Sequence, residues 1–347
     1  MENLVRKKHK VLITGHSGFK GSWLSLFLKL QGYELYGISL KNRNKVNLID
    51  ELIKKKVFKK SYYIDIKSNL FLKKIKQISP ETIFHLASQS LVSESFEFPK
   101  NTINTNIVGT QNLLEAIRIT DSIKSVLFVT SDKVYKNEKN IKFIENSSLG
   151  GDDIYSVSKS MQDLLINAYY KTFFLNRKIS FAILRAGNVL GGGDWSKNRI
   201  MVDIMKSLFL TKKLTIRSLK STRPWISIFD IINGYYLAFK YINNKKKGIF
   251  IWNFGPSEKI SKVEDLIKYL KIITSDFNRI NIKSIKNNLN EKKSLKLNTN
   301  KSKKELSWNQ KIRIFENLNI TYEWYFHFFN NKKNIYEYSK EQLHKYI

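Results

Sequence analysis

An α/β fold, with a doubly wound parallel sheet and a smaller C-terminal α/β domain, is what this sequence predicts, on three observations. The first forty residues run from an apolar strand through a glycine-spaced turn into a helical pattern and a second strand. Strand-like and helix-like segments then alternate, and near residue 190 the character changes. The length of 347 residues exceeds one typical domain, at about 150 residues each.

Residues 10–14 (Lys-Val-Leu-Ile-Thr) are short and apolar, as in a strand covered on both faces. Gly15, Gly18 and Gly21 follow at intervals of three. Ser22–Leu30 has helical periodicity, and Gly32 suits the position that closes a helix. Glu34–Leu40 and Tyr62–Ile64 read as the next strands. Ile83–Leu86, Val126–Thr130 and Ile179–Leu184 read as buried strands, and residues 101–118 and 154–174 as long helices. Such alternation builds a parallel sheet with helices on both faces, so the opening is of the Rossmann type. Residues 1–188 then form a dinucleotide-binding domain to which about 224–256 return, and residues 189–347 are mainly substrate-binding. Beyond Gly191-Gly192-Gly193-Asp194-Trp195 the segments read as shorter and less regular. Pro80, Pro99 and Pro224 mark turns or breaks, and the polar stretch 274–304 is expected to be mobile.

Composition removes several function classes. There is no cysteine, so disulfides, thiolate zinc sites and cysteine nucleophiles are excluded. The five histidines (His9, His16, His85, His327, His344) show no metal spacing, and no metal is expected. His85, in a buried strand, reads as a satisfied core histidine. No apolar run reaches the roughly 18 residues of a membrane helix. No secretory h-region precedes the first strand, and a soluble cytoplasmic protein is expected. The net charge of +32 raises nucleic-acid or anionic-membrane binding. Basic residues occur in nearly every segment, however, and no nucleic-acid-binding motif accompanies them. A compositional bias explains the charge better, and neither partner is expected. A polyanionic small substrate would also be drawn by this field.

The glycine turn has a definite chemistry. One glycine permits the tight turn, one lets backbone approach a pyrophosphate, and one lets the helix pack on the strand. Amides at the helix start then face the phosphate, which the helix dipole favours. The strand ending at Leu40 lacks the acidic residue that holds the ribose of NAD; Lys41, Asn42 and Arg43 follow it. Basic residues there could hold the 2′-phosphate of NADP, so both cofactors remain open. Asp65 is a hydrogen-bonding partner for adenine or a simple turn aspartate.

Tyr155 and Lys159 lie four apart at the start of a helix and project from one face. A free phenol, with pKa near 10, is too weak a base at neutral pH, and a neighbouring ammonium and a positive nicotinamide favour its phenolate. The spacing recurs by chance, for example at Tyr63/Lys67 and Tyr236/Lys240. Only Tyr155 opens a long helix one crossover after a buried strand ending in Thr130-Ser131-Asp132-Lys133, at the ligand-binding edge of the sheet. Ser131 can donate to the oxygen that Tyr155 deprotonates. The adjacent acid and amine, Asp132 and Lys133, suggest further proton transfers such as loss of water.

Several passages resemble one family. They are Thr14-Gly-His-Ser-Gly-Phe-Lys-Gly-Ser-Trp-Leu24, Phe84-His-Leu-Ala-Ser-Gln89, Asn106-Ile-Val-Gly-Thr110, Thr130-Ser-Asp-Lys-Val-Tyr135, Arg185 to Trp195, Arg223-Pro-Trp225 and Trp252-Asn-Phe-Gly-Pro256. From about residue 9 to 340 the chain resembles the extended short-chain dehydrogenases/reductases, and within them most closely the CDP-glucose 4,6-dehydratases. That resemblance implies a lyase of deoxysugar and lipopolysaccharide O-antigen biosynthesis that converts CDP-glucose to CDP-4-dehydro-6-deoxyglucose, using NAD. It implies that Tyr155 removes the O4 proton with Lys159 and Ser131 beside it. Asp132 then acts as acid at the C6 hydroxyl, and Lys133 is the C5 base or an enolate stabiliser. For the cofactor it implies Gly15, His16, Ser17, Gly18, Phe19, Lys20, Gly21, Asp65, Ile66, Leu86, Ala87, Ser88, Gln89 and Asn106, besides Tyr155 and Lys159, with Asn106 supporting the active-site backbone or its proton relay. For the substrate it implies Gln89, Ser131, Lys133, Asn188, Trp195, Arg199 and Arg223. Ser88 stands where the family often has alanine, and Asn298 where it has aspartate; neither is expected to touch the chemistry. Helices 101–118 and 154–174 resemble a pair that forms a four-helix dimer interface, which implies a homodimer or a dimer of dimers. A nucleotide-sugar 4-epimerase is the rival, as is a dehydratase of another sugar nucleotide; an epimerase needs no Asp132/Lys133 pair. A basic nucleic-acid-binding protein is the remote alternative.

Overall fold

The computed structural model describes residues 8–41, 47–136, 141–216, 219–244, 247–257, 261–284, 296–330 and 334–347. Seven strands form its main sheet: β1 (Lys10–Thr14), β2 (Glu34–Ser39), β3 (Lys60–Tyr63), β4 (Thr82–His85), β5 (Ser125–Val129), β6 (Ser180–Ala186) and β7 (Ile249–Phe254). Their order in space is β7-β6-β5-β4-β1-β2-β3, and every pair is parallel. The chain moves outward to one side through β2 and β3, then returns to continue from β4 on the other. A crevice opens at the carboxyl ends of the strands where that reversal occurs.

Side chains along each strand alternate between two cores. Val11, Ile13, Phe84, Leu127, Ala182 and Leu184 pack into the larger, with the helices Phe19–Leu30 and Ile228–Asn244. Leu12, Ile83, Val126, Phe128, Phe181 and Ile183 pack into the other, under the helices Asn69–Ile78, Gly109–Arg118 and Ile154–Tyr169. Burial on both faces is why these strands read as unbroken apolar runs. β3 lies at the edge and begins with the exposed Lys60, which blunts an otherwise open ladder. The larger core continues to Phe328 and Leu343 in the last two helices.

Element boundaries move for identifiable reasons. The first helix starts at Phe19 rather than Ser22, because Gly18 takes the extended cap conformation. The helix expected over 101–118 starts at Pro99, which suits a first helical position, and widens into a π turn at Asn104–Val108. The helix expected over 154–174 is capped by Asp153, whose carboxylate accepts from the backbone N–H of Ser156 at 2.9 Å. It ends in a π turn at Tyr170–Phe174.

The expectation of short, irregular segments after residue 190 is corrected by two 17-residue helices, Ile228–Asn244 and Ile314–Asn330. Both are rich in Ile, Phe and Tyr, so their composition suggests strands. Burial of one side of each against the larger core decides otherwise. In the stretch 274–304, Asn281–Ser284 pairs with Lys213–Ile216, and Asn300 begins a helix. Residues 285–295 lie outside the described residues.

Candidate active site

A groove of about 1870 Å³ follows the carboxyl ends of β1 to β6. Backbone shapes one end of it. Gly15 has φ +73°, a conformation that L side chains rarely adopt. A Cβ there would stand 2.7 Å from the backbone nitrogen of Ala87. A Cβ on Gly21 would collide with the Gly15 carbonyl oxygen, so the first helix can sit directly on the turn only with glycine. The Gly15 N–H donates to the Ile38 carbonyl at 2.8 Å, and the Ser17 hydroxyl to the Leu40 carbonyl at 3.0 Å. A cradle with no room for a Cβ, at the start of a helix, fits a dinucleotide diphosphate. Asp65, Ile66, Leu86, Ala87 and Ser88 continue this wall. The Asp65 carboxylate accepts from the Lys67 N–H at 2.9 Å, so it is a turn aspartate that also faces the groove. Lys41 lines the edge after β2, whereas Asn42 and Arg43 lie outside the described residues.

One of the cofactor expectations is corrected. The His16 side chain does not line the groove. Its ring turns behind the sheet, where Nε2 meets the Ser61 hydroxyl at 2.6 Å, against Gly37 and Phe58. Burial lowers its pKa to about 4. Asn106 is buried one layer back, where it supports the wall. Its Oδ1 accepts from the Gln89 N–H at 2.9 Å and from the Ser88 hydroxyl at 2.7 Å. Its Nδ2 donates to the Gln89 carbonyl at 3.1 Å. His85 is the core histidine expected, bonded through Nδ1 to Thr14 at 2.8 Å, and burial lowers its pKa to about 3.

Charged side chains build the other end. Ser131, Asp132, Lys133, Tyr155 and Lys159 all line the groove. Ser131 caps the short turn Asp132–Val134, accepting from the Lys133 N–H at 3.2 Å and donating to Asp132 Oδ1 at 3.1 Å. The Tyr155 phenol is hydrogen-bonded to Ser131. Burial pushes the phenol up to about 12, against that hydrogen bond and the charge of Arg199, with Asp132 adding to the rise. The lowering expected from the neighbouring ammonium is absent from the charges that act on this phenol, and desolvation dominates it. Lys159 Nζ donates to the Ser88 hydroxyl at 2.6 Å and to Gln162 Oε1 at 3.1 Å. Burial, then the charge of Lys20, lowers its pKa to about 7. Lys20 also faces this end, among Arg199, Asp132 and Asp194, and burial lowers it to about 8. The expectation that Ser88 stands apart from the chemistry is thus overturned, since it holds the Lys159 ammonium.

The Gly191-Gly192-Gly193 loop forms the far wall because the indole of Trp324 lies directly against Gly192, where any Cβ would collide. Trp23 Nε1 donates to the Gly192 carbonyl at 2.8 Å, and the Tyr325 hydroxyl to the Asp194 carbonyl. The loop presents Asn188, Trp195 and Arg199 to the groove, with Arg223 from the strand pair Thr222–Arg223. Asp194 pairs with Arg199 at 3.4 Å. Sequence reasoning passed over two supports: Gln162, three residues beyond Lys159 and so on its face, and Asp194 itself. Among the described residues no cluster of three His, Asp or Glu could hold a metal ion.

A family model described as GDP-mannose 4,6 dehydratase matches residues 12–321. The chain belongs to this dehydratase family. Among relatives, the CDP-glucose 4,6-dehydratase of Salmonella typhimurium is 34% identical over 324 residues, covering 91% of this chain and 90% of that protein. Among solved structures, the UDP-glucose 4-epimerase of Bifidobacterium longum, in complex with NAD⁺ and UDP, superposes with a TM-score of 0.80 at 21% identity, covering 91% and 97% of the two chains. The NAD-dependent NDP-hexosamine 5,6-dehydratase of tunicamycin biosynthesis gives 0.77 at 20% identity, covering 92% and 98%. The fold of this dehydratase-family chain is thus shared with both epimerases and dehydratases, and its chemistry has to be read from the groove.

Proposed function

We propose that the protein is an NAD-dependent nucleotide-sugar 4,6-dehydratase, a hydro-lyase that converts CDP-glucose to CDP-4-dehydro-6-deoxyglucose. One observation carries the reading: the Ser131-Asp132-Lys133 turn and the Tyr155 phenol face one groove that ends in a glycine cradle. Similarity over nine-tenths of the Salmonella typhimurium enzyme's length makes CDP-glucose the substrate of first choice.

Gly15, Gly18 and Gly21 hold the cofactor diphosphate, and Asp65 and Ile66 face its adenosine end. When bound, the nicotinamide supplies reversible hydride acceptance, so C4 oxidation and C6 reduction leave no net redox change. Tyr155, as the phenolate that the positive nicotinamide of a bound cofactor would favour, takes the proton from the sugar O4 while Ser131 holds that oxygen. Asp132 gives a proton to the departing C6 hydroxyl. Lys133 takes the C5 proton or steadies the enolate, and water is lost across C5 and C6. Arg199, Arg223 and Asn188 bind the diphosphate and nucleotide, where guanidinium forks suit phosphate oxygens. Trp195 and Gln89 wall the sugar. Residues 1–188 with 224–256 serve the cofactor, and residues 189–347 mainly the substrate. NADP is the alternative cofactor, on the strength of Lys41 at the end of β2.

The protein works in the cytoplasm, as a homodimer or a dimer of dimers. Val108, Ile154, Met161, Leu164 and Phe173, exposed on the helices that carry residues 99–118 and 154–174, supply the apolar face that a second copy would cover. Among the described residues no helix is long and apolar enough to cross a membrane.

The test is incubation with CDP-, UDP-, dTDP- and GDP-glucose, followed by alkali to develop the 4-keto chromophore. Signal with CDP-glucose is expected. Signal only with another nucleotide would move the substrate, and a C4-epimerised sugar without chromophore would favour an epimerase. Asp132→Asn is expected to slow water loss by on the order of 10²–10³ while C4 oxidation persists, seen as reduced cofactor that builds up on the protein.

A further inference from the structure

The buried face of the helix Ile154–Tyr169 carries Tyr155, Lys159 and Asp163 at intervals of four, so the three share one side. The function proposed above uses Tyr155 and leaves Asp163 without a task. Asp163 is completely buried, and a carboxylate held away from water needs a partner. Its Oδ2 accepts from Arg185 Nε at 2.6 Å, and Arg185, on β6, is equally inaccessible.

Arg185 extends the link. Its Nη1 donates to the Tyr135 hydroxyl at 2.9 Å and to the Glu145 carbonyl at 2.8 Å. The Tyr135 hydroxyl donates in turn to Asn253 Oδ1, on β7, at 2.6 Å, and its ring stacks on Phe143. Tyr135 directly follows the turn Asp132–Val134 that carries the candidate acid and amine. A continuous line of contacts, Asp163 to Arg185 to Tyr135, therefore runs from one half of the site to the other. It passes behind the groove, and none of its three members lines it.

Asp163 also faces Lys159, and beside it stands Thr130 at the end of β5. The titratable groups facing Lys159 are Lys20 from the first helix, His85 from β4, and Asp163 from its own helix. Its hydrogen-bond acceptors, Ser88 and Gln162, are neutral.

We propose that Asp163 is a positioning residue: through Arg185 and Tyr135 it fixes the Tyr155 helix against the Ser131–Lys133 turn. The proposal rests on the reading of Tyr155 and Asp132 as partners in one reaction.

The test compares the wild-type enzyme with two variants. Asp163→Asn leaves Arg185 buried without its counter-ion and is expected to lower Tm. The double variant Asp163→Asn/Arg185→Met removes both charges and recovers most of that loss. In both, kcat is expected to fall by about tenfold or more with KM within about twofold, because the line lies behind the groove.

Hydrogen exchange read by mass spectrometry needs no substrate. It is expected to show faster exchange over 131–135 and 154–160 in the double variant, with 15–21 unchanged. A well-folded double variant with wild-type kcat and exchange would overturn the proposal. Absence of wild-type turnover with every sugar nucleotide would instead overturn the functional reading, and the exchange comparison would still decide whether the brace exists.

Discussion

The two ends of the groove are built by opposite means. At the glycine end the backbone does the work. Gly15 and Gly21 are required for what they lack, and the neighbouring amides belong to no particular side chain. At the turn end the backbone only supports, and the surface consists of ionisable groups taken out of water. There burial pushes Tyr155 up to about 12 and Lys159 down to about 7. A cradle of backbone binds a diphosphate whatever chemistry follows. A cluster of desolvated acids and bases is tuned to one proton inventory. The first end is therefore what epimerases and dehydratases of this fold can share, and the second is where they must differ.

Substitutions that act at one end only would break or sharpen that contrast. The largest expected effect is at the turn end: Tyr155→Phe removes the only group proposed to deprotonate O4. It should lower kcat by on the order of 10³–10⁴ while Tm and cofactor retention stay near wild type. Steady-state turnover and thermal melting would check this, and substantial turnover would mean that the reacting group lies elsewhere. Gly15→Ala should do the reverse. Its Cβ would press on the Ala87 nitrogen at a φ of +73°, at a cost of about 2–4 kcal/mol in strain and displacement. Cofactor retention should fall before any step of the chemistry is touched, as measured by the nicotinamide dinucleotide released on denaturing the purified protein.

How much of each end could be read in the sequence follows from the same contrast. Gly15, Gly18 and Gly21 were legible because their spacing is local, and the alternation of strands and helices that sets their depth is local too. Tyr155 was legible only through its context, and Ser131-Asp132-Lys133 only because the three are adjacent. Arg199 and Asn188 came from resemblance, since nothing in their spacing points to a groove. Asp163, Arg185 and Gln162 escaped notice because their partners come from other elements, Tyr135 across fifty residues and Thr110 across fifty-two. His16 was misjudged for a related reason: a turn fixes where the backbone goes, whereas the space under Gly37 decides where the ring goes.

A change of pH should separate catalysis from stability at the turn end. Lys159 titrates near 7 and Lys20 near 8 in the folded protein, both below the ordinary 10.5 because of burial. As pH rises through about 7 the Lys159 ammonium is lost, so kcat/KM should fall. Stability should move the other way. Between about 7 and 10.5 the unfolded chain holds protons on these lysines that the folded chain does not, so their contribution to unfolding free energy rises with pH. A pH–rate profile set beside urea denaturation over the same range would test this. Activity and stability that fall together would mean that neither lysine is held near neutrality.

The smallest effect expected is also the one that joins the two ends. Ser88 sits on the wall that begins at the glycine cradle, yet its hydroxyl accepts from Lys159 Nζ at 2.6 Å and donates to Asn106 at 2.7 Å. Ser88→Ala leaves the ammonium with Gln162 as its remaining acceptor among these contacts and frees one lone pair of Asn106. A hydrogen bond to a charged group contributes about 1.5–3 kcal/mol, but a water molecule can take the place of a small hydroxyl at a groove surface. The net loss should be nearer 1 kcal/mol, or about fivefold in kcat. Since the hydroxyl favours the charged amine, its removal should also move the high-pH limb of kcat/KM to lower pH, with cofactor retention unchanged. If retention falls instead and the limb stays, Ser88 belongs to the cradle, and the boundary between the two ends lies beyond it, at Lys159.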